Sequence, residues 1–99
     1  MFTHIVFFKL KDGALREEVC ARVWALRGAI PALRGLEAGA DVVRSGRSWD
    51  VALVARFTRR EDLAEYAEHP AHREFLAYLT PRLEASCAVD YETPEDAPG

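Results

Sequence analysis

The sequence predicts an α+β fold in which elements follow one another as β-α-β-β-α-β. Three observations predict it. Residues 2–10 and 49–57 are dense in β-branched and aromatic residues, as strands are. Two intervening stretches carry apolar residues at the three-and-four spacing of a helix. Proline and glycine punctuate the joins. With right-handed crossovers and antiparallel neighbours, this order gives a ferredoxin-like sheet ordered 4-1-3-2, both helices on one face. The domain is expected to span residues 1–92, with 93–99 a loose acidic tail.

The first strand separates into two faces. Phe2, His4, Val6, Phe8 and Leu10 point one way, and Thr3, Ile5, Phe7 and Lys9 the other. Both faces are largely apolar, so both are expected to be covered. After Lys11-Asp12-Gly13, the residues Leu15, Val19, Val23, Leu26 and Ile30 predict a helix over 14–29 that Pro31 stops. Glu17 and Glu18 suit the positive end of its dipole. A weaker strand follows over 34–43, interrupted by Gly39. Trp49 to Phe57 is a clear strand, with Val51, Leu53, Ala55 and Phe57 on one face.

Thr58 and Glu61 have the spacing of a capping box for a short second helix. Pro70 breaks that helix. A further helical segment carries His72, Phe75, Leu76, Leu79 and Leu83, with a kink or frayed turn expected at Pro81. Residues 86–91 form the last strand.

Bulk properties narrow the function. The chain has 99 residues, a hydrophobic fraction of 49% and a net charge of −3. A chain this short has a thin stability margin alone, so a subunit interface would help it. No basic run exceeds Arg59-Arg60, which argues against a nucleic-acid groove. No apolar stretch approaches the length of a membrane span, and the N-terminus lacks signal-peptide character, so a cytoplasmic location is expected. Cys20 and Cys87 are read as small core residues. No cofactor and no metal are expected. A zinc site from His4, His72 and Asp90 is the alternative, but Pro70 distorts the His-x-x-His spacing.

The topology gathers all three histidines at one end of the sheet. The start of strand 1, holding His4, lies beside the end of strand 4, holding Asp90. The segment that begins with His69 and His72 starts at the same end. His72 shares a helical face with Phe75 and Leu79, so it is expected to point at the sheet, at the end where Asp90 can hold an imidazole. Tyr66, upstream on the same side, is expected to reach the same space. His69, before a proline, reads as a helix-end residue. The walls of a substrate cavity between helices and sheet are expected from Val6, Phe8, Val23, Trp24, Leu53 and Phe75. A buried His–Asp pair serves either as a general base or as a satisfied structural brace, and the residues leave both readings open.

The segments His4-Ile-Val-Phe-Phe-Lys-Leu-Lys-Asp-Gly13, Asp50-Val-Ala-Leu-Val54, Tyr66-Ala-Glu-His-Pro-Ala-His72 and Val89-Asp-Tyr91 together resemble the stress-responsive A/B barrel (Dabb) family. The resemblance covers about residues 2–92. It implies a homodimer in which two four-stranded sheets pack into a barrel-like core. The apolar second face, Ile5, Phe7, Ala52, Val54, Val89 and Tyr91, fits that arrangement. A plant polyketide cyclase of the family has a catalytic His and its Asp partner at positions matching His72 and Asp90, and a second His and a Tyr matching His4 and Tyr66. Where that cyclase has a further pocket Tyr in its first helix, this chain has Val23. The resemblance implies a cofactor-free lyase or cyclase acting on a small apolar carbonyl ligand. In that reading His72 removes a proton α to a carbonyl, Asp90 orients the imidazole, and Tyr66 and His4 hold the developing enolate. The alternative is a non-catalytic, stress-associated or ligand-binding barrel in which His72 and Asp90 form a structural pair.

Overall fold

The strongest β-formers of the chain take the middle of the sheet. In the computed structural model, which describes residues 1–94, β1 (Phe2–Leu10) is followed by α1 (Arg16–Trp24), β2 (Gly35–Ala40) and β3 (Val51–Phe57). Then come α2 (Asp62–Glu68), α3 (Pro70–Leu79) and β4 (Leu83–Glu92). The antiparallel sheet is ordered β2-β3-β1-β4, as the sequence predicts. The helices bury one face. Phe2, Phe8 and Leu10 of β1 and Leu53, Ala55 and Phe57 of β3 meet Val19 and Val23 of α1, Tyr66 of α2, and Phe75 and Leu79 of α3 in one core. The other face keeps Phe7, Val89 and Tyr91 in solvent, 45%, 65% and 41% exposed.

Several boundaries differ from the sequence expectation. The first helix is shorter than 14–29. It begins after a 3-10 turn at Gly13–Leu15, and beyond Trp24 the chain tightens into i→i+3 bonds, such as Leu26 N–H to Val23 C=O at 2.9 Å. Gly28 adopts φ +82° there, which only glycine takes freely. Gly39 does not interrupt β2 but pairs opposite Ala52. The strand ends instead at Ala40, and the side chain of the next residue, Asp41, accepts the Arg44 N–H at 2.8 Å and turns the chain. The Thr58–Glu61 capping box does not form. Asp62 caps the turn, accepting the Arg59 N–H at 3.2 Å. A 3-10 turn, Thr80–Arg82, contains Pro81. The last strand is longer than 86–91, because β1 supplies ladder partners from Leu10 opposite Leu83 to Phe2 opposite Glu92. Thr93 is tied down by its N–H to the Met1 carbonyl at 2.9 Å. The expectation of a loose tail over 95–99 lies outside the described residues. Among the described residues, no helix is long and apolar enough to cross a membrane. Cys20 is buried as expected, but Cys87 is exposed on β4.

At the end of the sheet remote from the histidines, one buried carboxylate joins three segments. Asp50 accepts the Leu10 N–H at 2.7 Å and the Arg44 Nη2–H at 2.7 Å. A Cβ at Gly13 would stand 3.2 Å from both that nitrogen and the Asp50 oxygen, so glycine permits the close approach. Burial alone would raise the Asp50 carboxyl. The Leu10 N–H and then Arg44 outweigh it and hold the pKa below the ordinary value. Asp50→Ala is expected to destabilise the fold by about 3 kcal/mol in denaturant melts, since it orphans a buried N–H and a charge. The depressed pKa fixes the sign of the acid response. The contribution is complete above an unfolded carboxylate value of about 3.9 and is lost as pH falls through the folded pKa. The wild-type melting temperature is therefore expected to drop more steeply below about pH 4 than that of Asp50→Asn.

Candidate functional site

The break between α2 and α3 creates the site. Pro70 has no N–H to continue the helix, so His69 takes extended backbone and becomes the N-cap of α3. Its Nδ1 accepts the Ala71 N–H at 3.0 Å. In an unbroken helix that N–H would go to the Ala67 carbonyl. The Ala67 carbonyl is released from that bond and is taken up by His72, whose Nδ1–H donates to it at 3.1 Å. A carbonyl can only accept, so His72 Nδ1 carries the proton. In the neutral ring the lone pair is then on Nε2.

Asp90 does not pair with His72, and this corrects the sequence expectation. The β1–β4 register sets His4 directly opposite Asp90, and His4 Nδ1 donates to Asp90 Oδ1. Cross-strand neighbours on one face lie within direct side-chain reach. The four expected residues nonetheless form one end of the fold. The Tyr66 ring stands 4.5 Å from the His72 ring and 6.3 Å from the His4 ring, centroid to centroid. Phe57 packs edge-on against Tyr66 at 5.3 Å. Asp90 is exposed on the outer strand, and His4 and His72 are half-buried, so the cluster opens toward β4.

The electrostatics follow from that burial. Burial lowers the His72 pKa; its bond to the Ala67 carbonyl opposes this, and a charge on His4 adds to the lowering. Neutral imidazole is the favoured form near pH 7. Burial pushes the Tyr66 phenol up to about 12, so it stays protonated as a hydrogen-bond donor. No group of three or more His, Cys, Asp or Glu is placed to hold a metal ion among the described residues.

The expected cavity walls are placed differently. Phe8, Val23, Leu53 and Phe75 are buried in the core, and the Phe8 and Phe75 rings, 6.2 Å apart, close the space between β1 and α3. Val6 packs partly buried against this core. Trp24 is 38% exposed and lies under the Arg27 guanidinium at 5.9 Å. A cavity of about 440 Å³ lies on the opposite face of the sheet, between Phe7, Gly39, Trp49 and Ala52. A smaller groove runs between Leu26 of the segment after α1 and Ala71 and Phe75 of α3. The Ala67 carbonyl is the functional group that sequence reasoning missed. Its signal was Pro70 together with a histidine five residues after Ala67. The N-cap role of His69 yields a test. His69→Ala is expected to cost about 1 kcal/mol in thermal or denaturant melts, and His69→Asn is expected to restore most of it.

The comparisons with known proteins agree with this architecture. Residues 2–93 match the model of the Stress Responsive A/B Barrel Domain family. An uncharacterized protein of Streptomyces coelicolor is 37% identical over 97 residues, covering 93% of this chain and 99% of that protein. A dimeric protein of unknown function and ferredoxin-like fold from Bacteroides fragilis superposes with TM-score 0.82 at 30% identity, covering 93% of this chain and 95% of that one. A hydroxynitrile lyase from Passiflora edulis superposes with TM-score 0.76 at 20% identity, covering 98% and 96%, and shows a shared fold. With its order of elements, its sheet topology and a match along nearly all its length, the chain belongs to the stress-responsive A/B barrel (Dabb) family.

Proposed function

We propose that the protein is a homodimeric barrel whose His4–Tyr66–His72–Asp90 end is a cofactor-free general-base site for a small apolar carbonyl compound. The carrying observation is the pairing of His72 Nδ1–H with the Ala67 carbonyl, which leaves Nε2 as a lone-pair base in a neutral ring. Next to it stands a phenol held in its protonated form. Base and donor side by side suit enolate chemistry.

In this reading His72 Nε2 takes a proton α to the substrate carbonyl. The electron pair of the broken C–H bond passes into the enolate, whose oxygen accepts from the Tyr66 O–H and, when the His4 ring carries both its protons, from His4 Nε2–H. Asp90 orients His4 rather than His72. The enolate carbon then forms a C–C bond to a second carbonyl, and the imidazolium returns its proton to the new alkoxide; the reverse sequence is a lyase. Dimerisation through Ile5, Phe7, Ala52, Val54, Val89 and Tyr91 covers the apolar face. The hydroxynitrile lyase from Passiflora edulis is consistent with carbonyl chemistry on this fold.

A second reading rests on a different observation. Phe8 and Phe75 fill the space where a substrate cavity was expected, as in a barrel whose histidine cluster braces the start of α3 against the sheet. Exchange of the α-protons of a short acyclic β-diketone into D₂O, followed by NMR, separates the two. The catalytic reading predicts exchange faster than buffer imidazole supports, falling about 10²–10⁴-fold in folded His72→Gln. It also predicts a rate that declines with acidification as His72 protonates, with its midpoint below about 6.5. No acceleration by the wild type, together with a loss of about 1–3 kcal/mol of stability in His72→Ala, would establish the bracing role instead.

A further inference from the structure

One side chain takes the space next to the candidate base. Val6 lies on β1 between His4 and Phe8, on the face that the helices cover. Phe75 stands three residues beyond His72 on the same side of α3. Its ring, 6.2 Å from that of Phe8, closes the space between β1 and α3. Phe75 also has a second place to go. Its other flank lines the groove of about 180 Å³ between α1 and α3, where Ala25, Leu26 and Ala71 are the apolar walls. An apolar cavity of about 150 Å³ takes benzene, so a phenyl ring fits there. Two staggered χ1 wells are open to an aromatic residue on a helix, and exchange between them moves the ring from one flank to the other.

The two helices are tied together at the end remote from the histidines. There the Tyr78 O–H donates to Glu18, and the Arg22 and Arg82 guanidiniums stand over the Tyr78 ring at 4.3 and 4.2 Å. At the histidine end α1 stops at Trp24 and continues in i→i+3 turns, and the small side chains of Ala25 and Ala71 leave the gap. We propose that Phe75 is the gate of the candidate site and decides what it admits. Its ring moves off Phe8 into the groove beside Leu26, and the space it vacates takes the apolar part of the carbonyl compound next to His72 and Tyr66. This inference rests on the general-base reading above. It reconciles a filled interior with a working base, because the filled form is then the ligand-free one. A ligand shifts that balance only by preferring the vacated space. The site therefore selects carbonyl compounds that carry a compact apolar group about the size of the displaced ring.

Filling the groove tests the gate without touching His72, Tyr66 or Phe75. The measurement is α-proton exchange of benzoylacetone and acetylacetone into D₂O, with circular dichroism confirming folding. Ala71→Leu, and independently Ala25→Leu from the opposite wall, are expected to raise KM for benzoylacetone at least about tenfold at unchanged kcat. Apparent affinity falls with the fraction of molecules that can open, and the base itself is intact. Wild type is expected to prefer benzoylacetone to acetylacetone. In a Phe75→Ala background the gate is absent, so Ala71→Leu is expected to leave KM where it is. Ring-to-methyl NOEs on wild type locate the ring directly. With benzoylacetone added, Phe75 is expected to lose its contact with Phe8 and gain Leu26 and Ala71. Exchange that both groove-filling variants leave unaltered, or a Phe75 ring that stays on Phe8 at saturating benzoylacetone, would overturn the gate and leave the general-base reading standing. Wild type that does not accelerate exchange would overturn the general-base reading, and the NOEs alone then decide whether Phe75 opens.

Discussion

The whole structure hangs on β1, which is paired along both edges and apolar on both faces. Because it pairs with β3 and β4 at once, it fixes the register of three strands. Phe2, Phe8 and Leu10 place the helices on one side. Ile5 and Phe7 leave the other side in need of a partner. The same register puts His4 opposite Asp90. A one-residue slip of β4 against β1 would turn Asp90 to the wrong face and expose a different apolar set. Fold, open apolar face and candidate chemistry therefore share one determinant.

The second determinant is Pro70. By ending α2 it costs the helix a backbone bond, and the side chains of His69 and His72 take over the groups left behind. His69 satisfies the first turn of α3, and His72 satisfies the end of α2. A ring used in this way is held by backbone rather than by a mobile carboxylate. Its tautomer is set by the chain itself, because a backbone carbonyl cannot donate. Tyr66, on the last turn before the break, supplies the neighbouring hydroxyl. The polar end of the molecule is thus a by-product of how two short helices are joined.

Strand order, the helical face and the gathering of His4, Tyr66, His72 and Asp90 at one end were legible in the sequence. Each depends on periodicity and topology, which residue pattern encodes strongly. The partner of His72 was not legible in the same way. Two histidines compete for Asp90 at that end, and the cross-strand distance from His4 decides the outcome, not residue type. The cavity walls were misplaced for a related reason. Helical spacing identifies Val23 and Phe75 as inward-facing but does not say whether they line a space or fill it. The Phe8–Phe75 contact fills it. Element ends are set where side chains compete with the backbone, as Asp41 does just past β2 and Asp62 at the first residue of α2.

The central claim is that His72 is a neutral, Nδ1-protonated base aimed by the Ala67 carbonyl and independent of Asp90. Long-range ¹H–¹⁵N NMR of the histidine rings as a function of pH, in the wild type and in Asp90→Asn, tests it most directly. The account predicts a His72 that is the Nδ1–H tautomer at neutral pH, titrates below the ordinary histidine value of about 6.5 and is left in place by Asp90→Asn, while the His4 ring signals move. A His72 in the Nε2–H form, or one whose titration shifts strongly in Asp90→Asn while His4 is unaffected, would contradict it.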